Sequence, residues 1–221
     1  MDRETYFEPL HLTAQQPISQ PTLVQPSNAA NLEMPRRLFH QIETAGELKM
    51  TYVMVDIESD GPIPGDYSMV CFGAVIVEPG LSRSFYGQMR PVSDRFVQEA
   101  LAVSGFSRSD CLGFDEPQPV MERFAKWLGE NCKTRPMFVS DNNGFDWQFI
   151  NWYFHHFTEA NPFGFSSTNL GSLYKGMQKD VFTSFKHLRK TAHTHHPVDD
   201  AIGNAEAMLG MKEMGLKVRF D

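Results

Sequence analysis

The chain has 221 residues, of which 41% are hydrophobic and 18 are phenylalanine, enough for one medium domain with a true core and an appendage. A formal net charge of −7 excludes a surface that grips nucleic acid all over, while leaving room for an enzyme that handles short polyanions in a local cleft. Cys71, Cys111 and Cys132 are far apart and form no Cys-x-x-Cys pair. With no basic-then-apolar leader and no run of membrane-spanning length, the expectation is a soluble cytoplasmic protein with reduced thiols.

Residues 1–47 read as an N-terminal extension. The stretch TAQQPISQPTLVQPSNAANLEM is rich in Gln, Pro and Ser without an apolar period, which predicts a flexible tail. Residues 36–45, RRLFHQIETA, allow a short amphipathic helix through Leu38, Phe39 and Ile42. The folded domain is expected over 48–221, which makes Met34 or Met50 a candidate for the true start.

From Met50 the elements follow in order. TYVMVDI (51–57) is β-branched and apolar and predicts a buried strand; MVCFGAVIV (69–77) predicts a second. Pro79-Gly80 turns into a third strand over 84–90. Residues 94–103 suggest a helix opened by Asp94, and 117–131 carry Val120, Phe124, Trp127 and Leu128 at helical spacing. A fourth strand is expected over 135–142, a helix from about Phe145 to Phe157, and a last helix from Pro197 to about Met214, with proline in its first turn. Three strands followed by helices alternating with a further strand describe an α/β domain with a mixed sheet flanked by helices.

Three short motifs carry chemistry. Asp56 and Glu58 end the first strand, and side chains two apart on a strand share a face. Two carboxylates so placed repel unless a cation lies between them, although a strand end turning polar at the surface explains the pair equally simply. Asp146 opens the helix after the fourth strand, where an acid can also merely complement the helix dipole, and Asp141, Asn142 or Asn143 can cap it. Phe145, Phe149 and Trp152 are that helix's core stripe. Asp200 lies on the last helix with His195 five positions earlier, flanked by His193 and His196. Oxygen-only ligands select Mg²⁺ or Mn²⁺ over softer ions, and two such ions about 3.5–4 Å apart form the clamp used for in-line phosphodiester hydrolysis. A histidine, whose ordinary pKa is about 6.5, suits deprotonation of the attacking water.

The order Asp56-x-Glu58, Asn142-x-x-Phe145-Asp146 and His195-x-x-x-x-Asp200-Ala201 resembles the DEDDh family of 3′–5′ exonucleases, which includes ribonuclease T, oligoribonuclease and polymerase proofreading subunits. The resemblance covers residues 51–215. It implies a ribonuclease H-like fold, Asp56, Glu58, Asp146 and Asp200 holding two Mg²⁺ or Mn²⁺ ions, and His195 as general base. Nucleoside 5′-monophosphates would be released from the 3′ end of single-stranded RNA or DNA. Ser59, Asp60 and Gly61 stand where the family usually has threonines, and by resemblance approach the terminal nucleotide together with Asn142 and Phe145. Pro197 replaces a residue that is commonly small. The family spacing also selects His195 over His196.

Residues 171–196 hold Lys175, Lys179, Lys186, Arg189 and Lys190 against Asp180 alone, a local basic stretch that reads as phosphate contact or as a solvated helix face. The small size, with no evident polymerase-docking region, favours RNA or short oligonucleotides. A DNA exonuclease of repair or proofreading is the alternative, and a catalytically silent nucleic-acid-binding scaffold is the third reading. No membrane partner is expected, and the resemblance allows a homodimer.

Overall fold

The computed structural model describes residues 50–220, so the extension and the helix expected over 36–45 lie outside the described residues. Five strands form one mixed sheet in the order β3-β2-β1-β4-β5: β1 Thr51–Ser59, β2 Met69–Ile76, β3 Ser84–Gln88, β4 Pro136–Ser140 and β5 Ser167–Asn169. β1 is the central strand, antiparallel to β2 and parallel to β4, and β5 continues the parallel half. A strand in that place is covered on both faces, which is why its sequence is almost continuously apolar rather than alternating.

The two faces bury different clusters. Val53, Val55, Ile57, Phe72 and Ala74 pack against Phe124 and Leu128 of α3 (Pro117–Asn131) and against Phe149, Ile150 and Tyr153 of α4 (Asn143–Phe157). Met54, Val75 and Val139 point the other way, against Leu170 and Tyr174 of α5 (Leu170–Gln178) and Ala201, Ala205, Met208 and Met211 of α6 (Pro197–Glu213). By the two-residue period of a strand, Asp56 and Glu58 continue the Met54 row and so emerge on the α6 face. Two short helices, α1 (Gln98–Val103) and α2 (Arg108–Leu112), cover the end of β1 beside β2, and a 3₁₀ turn spans Lys186–Leu188.

The structure corrects several boundaries. The helix expected from Asp94 begins only at Gln98, because Val97 is extended and gives its N–H to the carbonyl of Asp60. β3 stops at Gln88 and β4 occupies 136–140, whereas α4 starts at Asn143, two residues earlier than expected. α2, held by a capping box between Ser107 and Asp110, and the three-residue β5 were too short to show a period, and α5 lies inside the stretch read only for its charge. Among the described residues no helix is long and apolar enough to cross a membrane.

Glycine at position 73 decides how closely α6 can approach. Gly73 pairs directly with Asp56 across the β1–β2 ladder. A Cβ built there would lie 2.4 Å from the carbonyl carbon of Pro197 and 2.4 Å from the nitrogen of Val198. The first turn of α6 therefore rests on bare backbone beside Asp56. Gly73→Ala is expected to lift that turn off the sheet and lower stability by about 1–3 kcal/mol, the usual cost of overpacking, measured by urea unfolding. Activity should fall further than the loss of folded protein explains.

Candidate active site

The sheet's open end gathers acids from three elements. Asp56 and Glu58 come from β1, Asp146 from the first turn of α4, and Asp200 from the first turn of α6. A carboxylate oxygen from each of Asp56, Glu58 and Asp200 lies within 4.8 Å of the other two. Asp146 stands outside that trio, yet its charge acts on Asp56 more strongly than that of Asp200 or Glu58. The cleft of about 480 Å³ beside them is lined by Asp56, Glu58, Asp141, Asn142, Phe145 and Asp146, with Lys186, Arg189 and His193 supplying basic groups. Asn142 and Phe145 thus reach the cleft as the motif implies.

Burial and mutual repulsion raise the carboxyl pKa values. Asp56 is pushed well above the ordinary range first by desolvation and then by Asp146, Asp200 and Glu58, with Arg189 opposing. Desolvation and Asp200 take Glu58 to about 7. Asp146, 2% exposed, rises to about 8 through desolvation, held back by hydrogen bonds from the Ser140 hydroxyl and the Ile57 N–H. Its Oδ2 has no hydrogen-bond partner at all. A buried, unpaired carboxylate oxygen is costly, and in an all-oxygen acidic set such an atom fits a hard divalent cation.

Asp200 is held differently. Its carboxylate accepts the N–H of Thr194 at 3.0 Å on Oδ1 and that of His195 at 3.0 Å on Oδ2, while His193 Nδ1 lies 2.8 Å from Oδ1. The helix acid thereby ties down the loop that precedes it. His195 adopts φ 61°, in the left-handed region, and its Nδ1 stands 3.8 Å from Glu58 Oε1. His196 instead stacks on Tyr86 with ring centroids 5.0 Å apart, and its Nδ1 is 3.9 Å from Asp199. The structure brings His195, not His196, beside Glu58.

Three residues placed near the terminal nucleotide by motif position are spent on local structure. The β1–β2 register shifts between Glu58 and Ser59, where Val70 of β2 is passed over, and beyond that shift Asp60 is buried away from the cleft. The Asp60 carboxylate is fully buried, paired with Arg108 at 2.7 Å and accepting the Ser68 N–H. Ser59 is buried and donates to the carbonyl of Gly61 at 2.7 Å. Gly61 lies under Tyr67, whose ring atoms would be 2.1 Å from any added Cβ.

The basic stretch divides. Lys186 and Arg189 line the cleft, whereas Lys175 and Lys179 are exposed on and just after α5, and Lys190 lines a separate groove with Glu206 and Leu209. Arg189 is fixed by Asp141 at 3.1 Å and by the side-chain oxygen of Asn204 on α6. In the sequence Arg189 shows only its charge and Asp141 only a capping position; their pairing spans 48 residues and has no local signal.

Comparison with known proteins agrees with this architecture. No protein-family model matches the chain. A 3′–5′ DNA exonuclease of Escherichia coli, Cap18, is 40% identical over 134 residues, which are 58% of this chain and 70% of that protein. Cell-death related nuclease 4 superposes with a TM-score of 0.62 at 16% identity, over 76% of this chain and 65% of that one. A 3′-exonuclease seen recognising the 3′ end of a histone mRNA stem–loop gives 0.62 at 13% identity, over 83% and 71%. Escherichia coli exonuclease I in complex with a dA16 oligonucleotide gives 0.58 at 14% identity, over 75% and 41%. The chain belongs to the DEDDh family of 3′–5′ exonucleases, with a ribonuclease H-like fold. Its activity is that of a 3′–5′ exonuclease on nucleic acid.

The raised carboxyl groups make the metal-free protein sensitive to pH. Folded Glu58 and Asp146 keep protons up to about 7 and about 8 that the unfolded chain loses near its ordinary range. The folded state therefore binds more protons across that window, and these two groups withdraw stability as pH rises through it. In chelator, wild type is expected to lose stability between about pH 5 and about pH 9 relative to a Glu58→Gln, Asp146→Asn double variant, read from denaturant midpoints. Parallel profiles for the two proteins would contradict it.

Proposed function

We propose that this chain removes nucleotides one at a time from the 3′ end of single-stranded DNA, with Asp56, Glu58, Asp146 and Asp200 holding two divalent ions of the Mg²⁺ or Mn²⁺ kind. The observation that carries this reading is the convergence of Asp56, Glu58 and Asp200 within 4.8 Å, next to the unpartnered Oδ2 of Asp146. An oxygen-only set with raised carboxyl pKa values fits a hard cation, because the cation supplies the positive charge that the buried acids lack. When bound, such ions would lower the pKa of the attacking water and neutralise charge on the phosphate.

The chain's own groups then do the rest. His195 accepts the proton of the attacking water, with Glu58, 3.8 Å away, orienting the ring. The loop that carries it is tethered through the Thr194 and His195 N–H groups to Asp200, so base and ligand move as one unit. Arg189, clamped by Asp141, offers the strand's phosphates a fixed cation, and Lys186, exposed on the 3₁₀ turn, offers a flexible one. Phe145 and Asn142 meet the terminal nucleotide, Phe145 by stacking. Cleavage of the P–O3′ bond by water leaves a nucleoside 5′-monophosphate and a strand shorter by one nucleotide.

DNA rather than RNA is proposed on the 40% identity to a DNA exonuclease. The ribonucleotide preference expected from chain size is supported by no residue at the site, since discrimination needs a contact to the 2′-OH. The test uses matched labelled DNA and RNA strands with Mg²⁺, with Mn²⁺ and with chelator. Metal-dependent shortening from the 3′ end, faster on DNA, is the expected result; equal or faster RNA hydrolysis reverses the substrate assignment. Asp56→Asn should cost about a thousandfold or more in rate, the scale of losing several kcal/mol of transition-state stabilisation. The same variant should unfold at higher denaturant than wild type in chelator, because it removes a carboxyl that folding must either desolvate as a charge or keep protonated.

A further inference from the structure

A second, chemically different set of metal-ligating atoms shares Asp200. We propose that His193, His195 and Asp200 form a site for a borderline transition ion of the Zn²⁺ class, and that its occupancy switches the nuclease off by competing with the hard-ion set for Asp200. The site needs only the geometry; the switching rests on the exonuclease reading above.

The ligand atoms of the three residues all lie within 4.8 Å of one another, and His193 Nδ1 is already 2.8 Å from Asp200 Oδ1. The two imidazoles meet edge to face, with centroids 4.4 Å apart at 67°. Zinc bonds of about 2.0–2.2 Å in a tetrahedron place ligand atoms about 3.4 Å apart, so modest turns of two rings close the set. Both rings are half exposed, at 51% and 52% of the side chain, so an ion enters from solvent, while Asp200 at 1% is a dry anchor. Two backbone N–H groups already orient that anchor, which removes much of the cost of ordering it. Coordination through His193 Nδ1 uses that nitrogen's lone pair, so the bound imidazole carries its proton on Nε2. Three protein ligands and a water complete four-coordination.

Ligand softness separates the two sets. Imidazole suits Zn²⁺, Co²⁺, Ni²⁺ and Cu²⁺, whereas carboxylates and water suit Mg²⁺ and Mn²⁺. Asp200 belongs to both groups, with Asp56 and Glu58 in one and with His193 and His195 in the other. An ion in the nitrogen-containing set pulls Asp200 away from the first. It also disables His195: an imidazole bound through one nitrogen carries its proton on the other and has no lone pair left for water's proton.

Co²⁺ serves as the probe, because four-coordinate Co²⁺ absorbs visible light strongly and six-coordinate Co²⁺ weakly. The full chain, in excess Mg²⁺, is titrated with CoCl₂ and then ZnCl₂, alongside His193→Ala and His196→Ala. The expected result is a four-coordinate spectrum that Zn²⁺ displaces. Its affinity should fall at least about tenfold in His193→Ala, since even losing an outer partner costs a metal site that much, and should hold in His196→Ala. In the nuclease assay, Zn²⁺ should stop the Mg²⁺-supported reaction, and His193→Ala should require at least about tenfold more Zn²⁺ for the same fractional inhibition. Equal affinity in wild type and His193→Ala overturns the site. Tight Zn²⁺ binding through His193 without inhibition overturns the switch. A protein that binds Co²⁺ as expected but degrades no strand refutes the exonuclease reading and leaves the site standing.

Discussion

Electrostatic repulsion among acids brought to one poorly solvated place is the constraint around which this molecule is built. Asp56, Glu58 and Asp200 put oxygens within 4.8 Å of one another, and Asp146 is the strongest single charge acting on Asp56. In the absence of a cation the cluster meets the cost by taking up protons, as the raised groups show. Folding must therefore supply, from elsewhere, enough favourable free energy to hold an unfavourable centre in place. That energy comes from the two apolar layers on either face of β1, which bury Val53, Val55 and Ile57 on one side and Met54, Val75 and Val139 on the other.

The helix α6 carries the heaviest positional demand. Its buried residues include the small Ala201, Gly203, Ala205 and Ala207, and it rests on Gly73 where a side chain would clash. Close approach brings Asp200 to the strand that bears Asp56, and Asp200 in turn grips the loop that bears His195. Arg189 links the same helix to the end of β4 through Asn204 and Asp141. Position is passed along contacts, from sheet to helix to loop, and a histidine with a left-handed backbone is tolerated because those contacts determine it.

Asp60 shows how a motif position can change employment. It follows the Asp-x-Glu pair at the next same-face position, yet just past the register shift it is buried, where Arg108 and Ser68 satisfy it. Removing either partner would strand a buried charge, so Asp60 and Arg108 are coupled parts of the scaffold that supports the end of β1.

Read alone, the residues determined a great deal: the central strand from its unbroken apolar run and α3 and α4 from their helical period, while spacing within three short motifs marked the candidate acids and histidine. These signals are legible because each lies within a few consecutive residues. Tertiary structure alone decided that His193 pairs with Asp200, that Arg189 meets Asp141, that Gly73 lies beneath α6, and that Asp60 is buried with Arg108. Most of those relations join residues tens of positions apart, and local propensity carries no record of which distant side chain will come to share a face, a charge or a void.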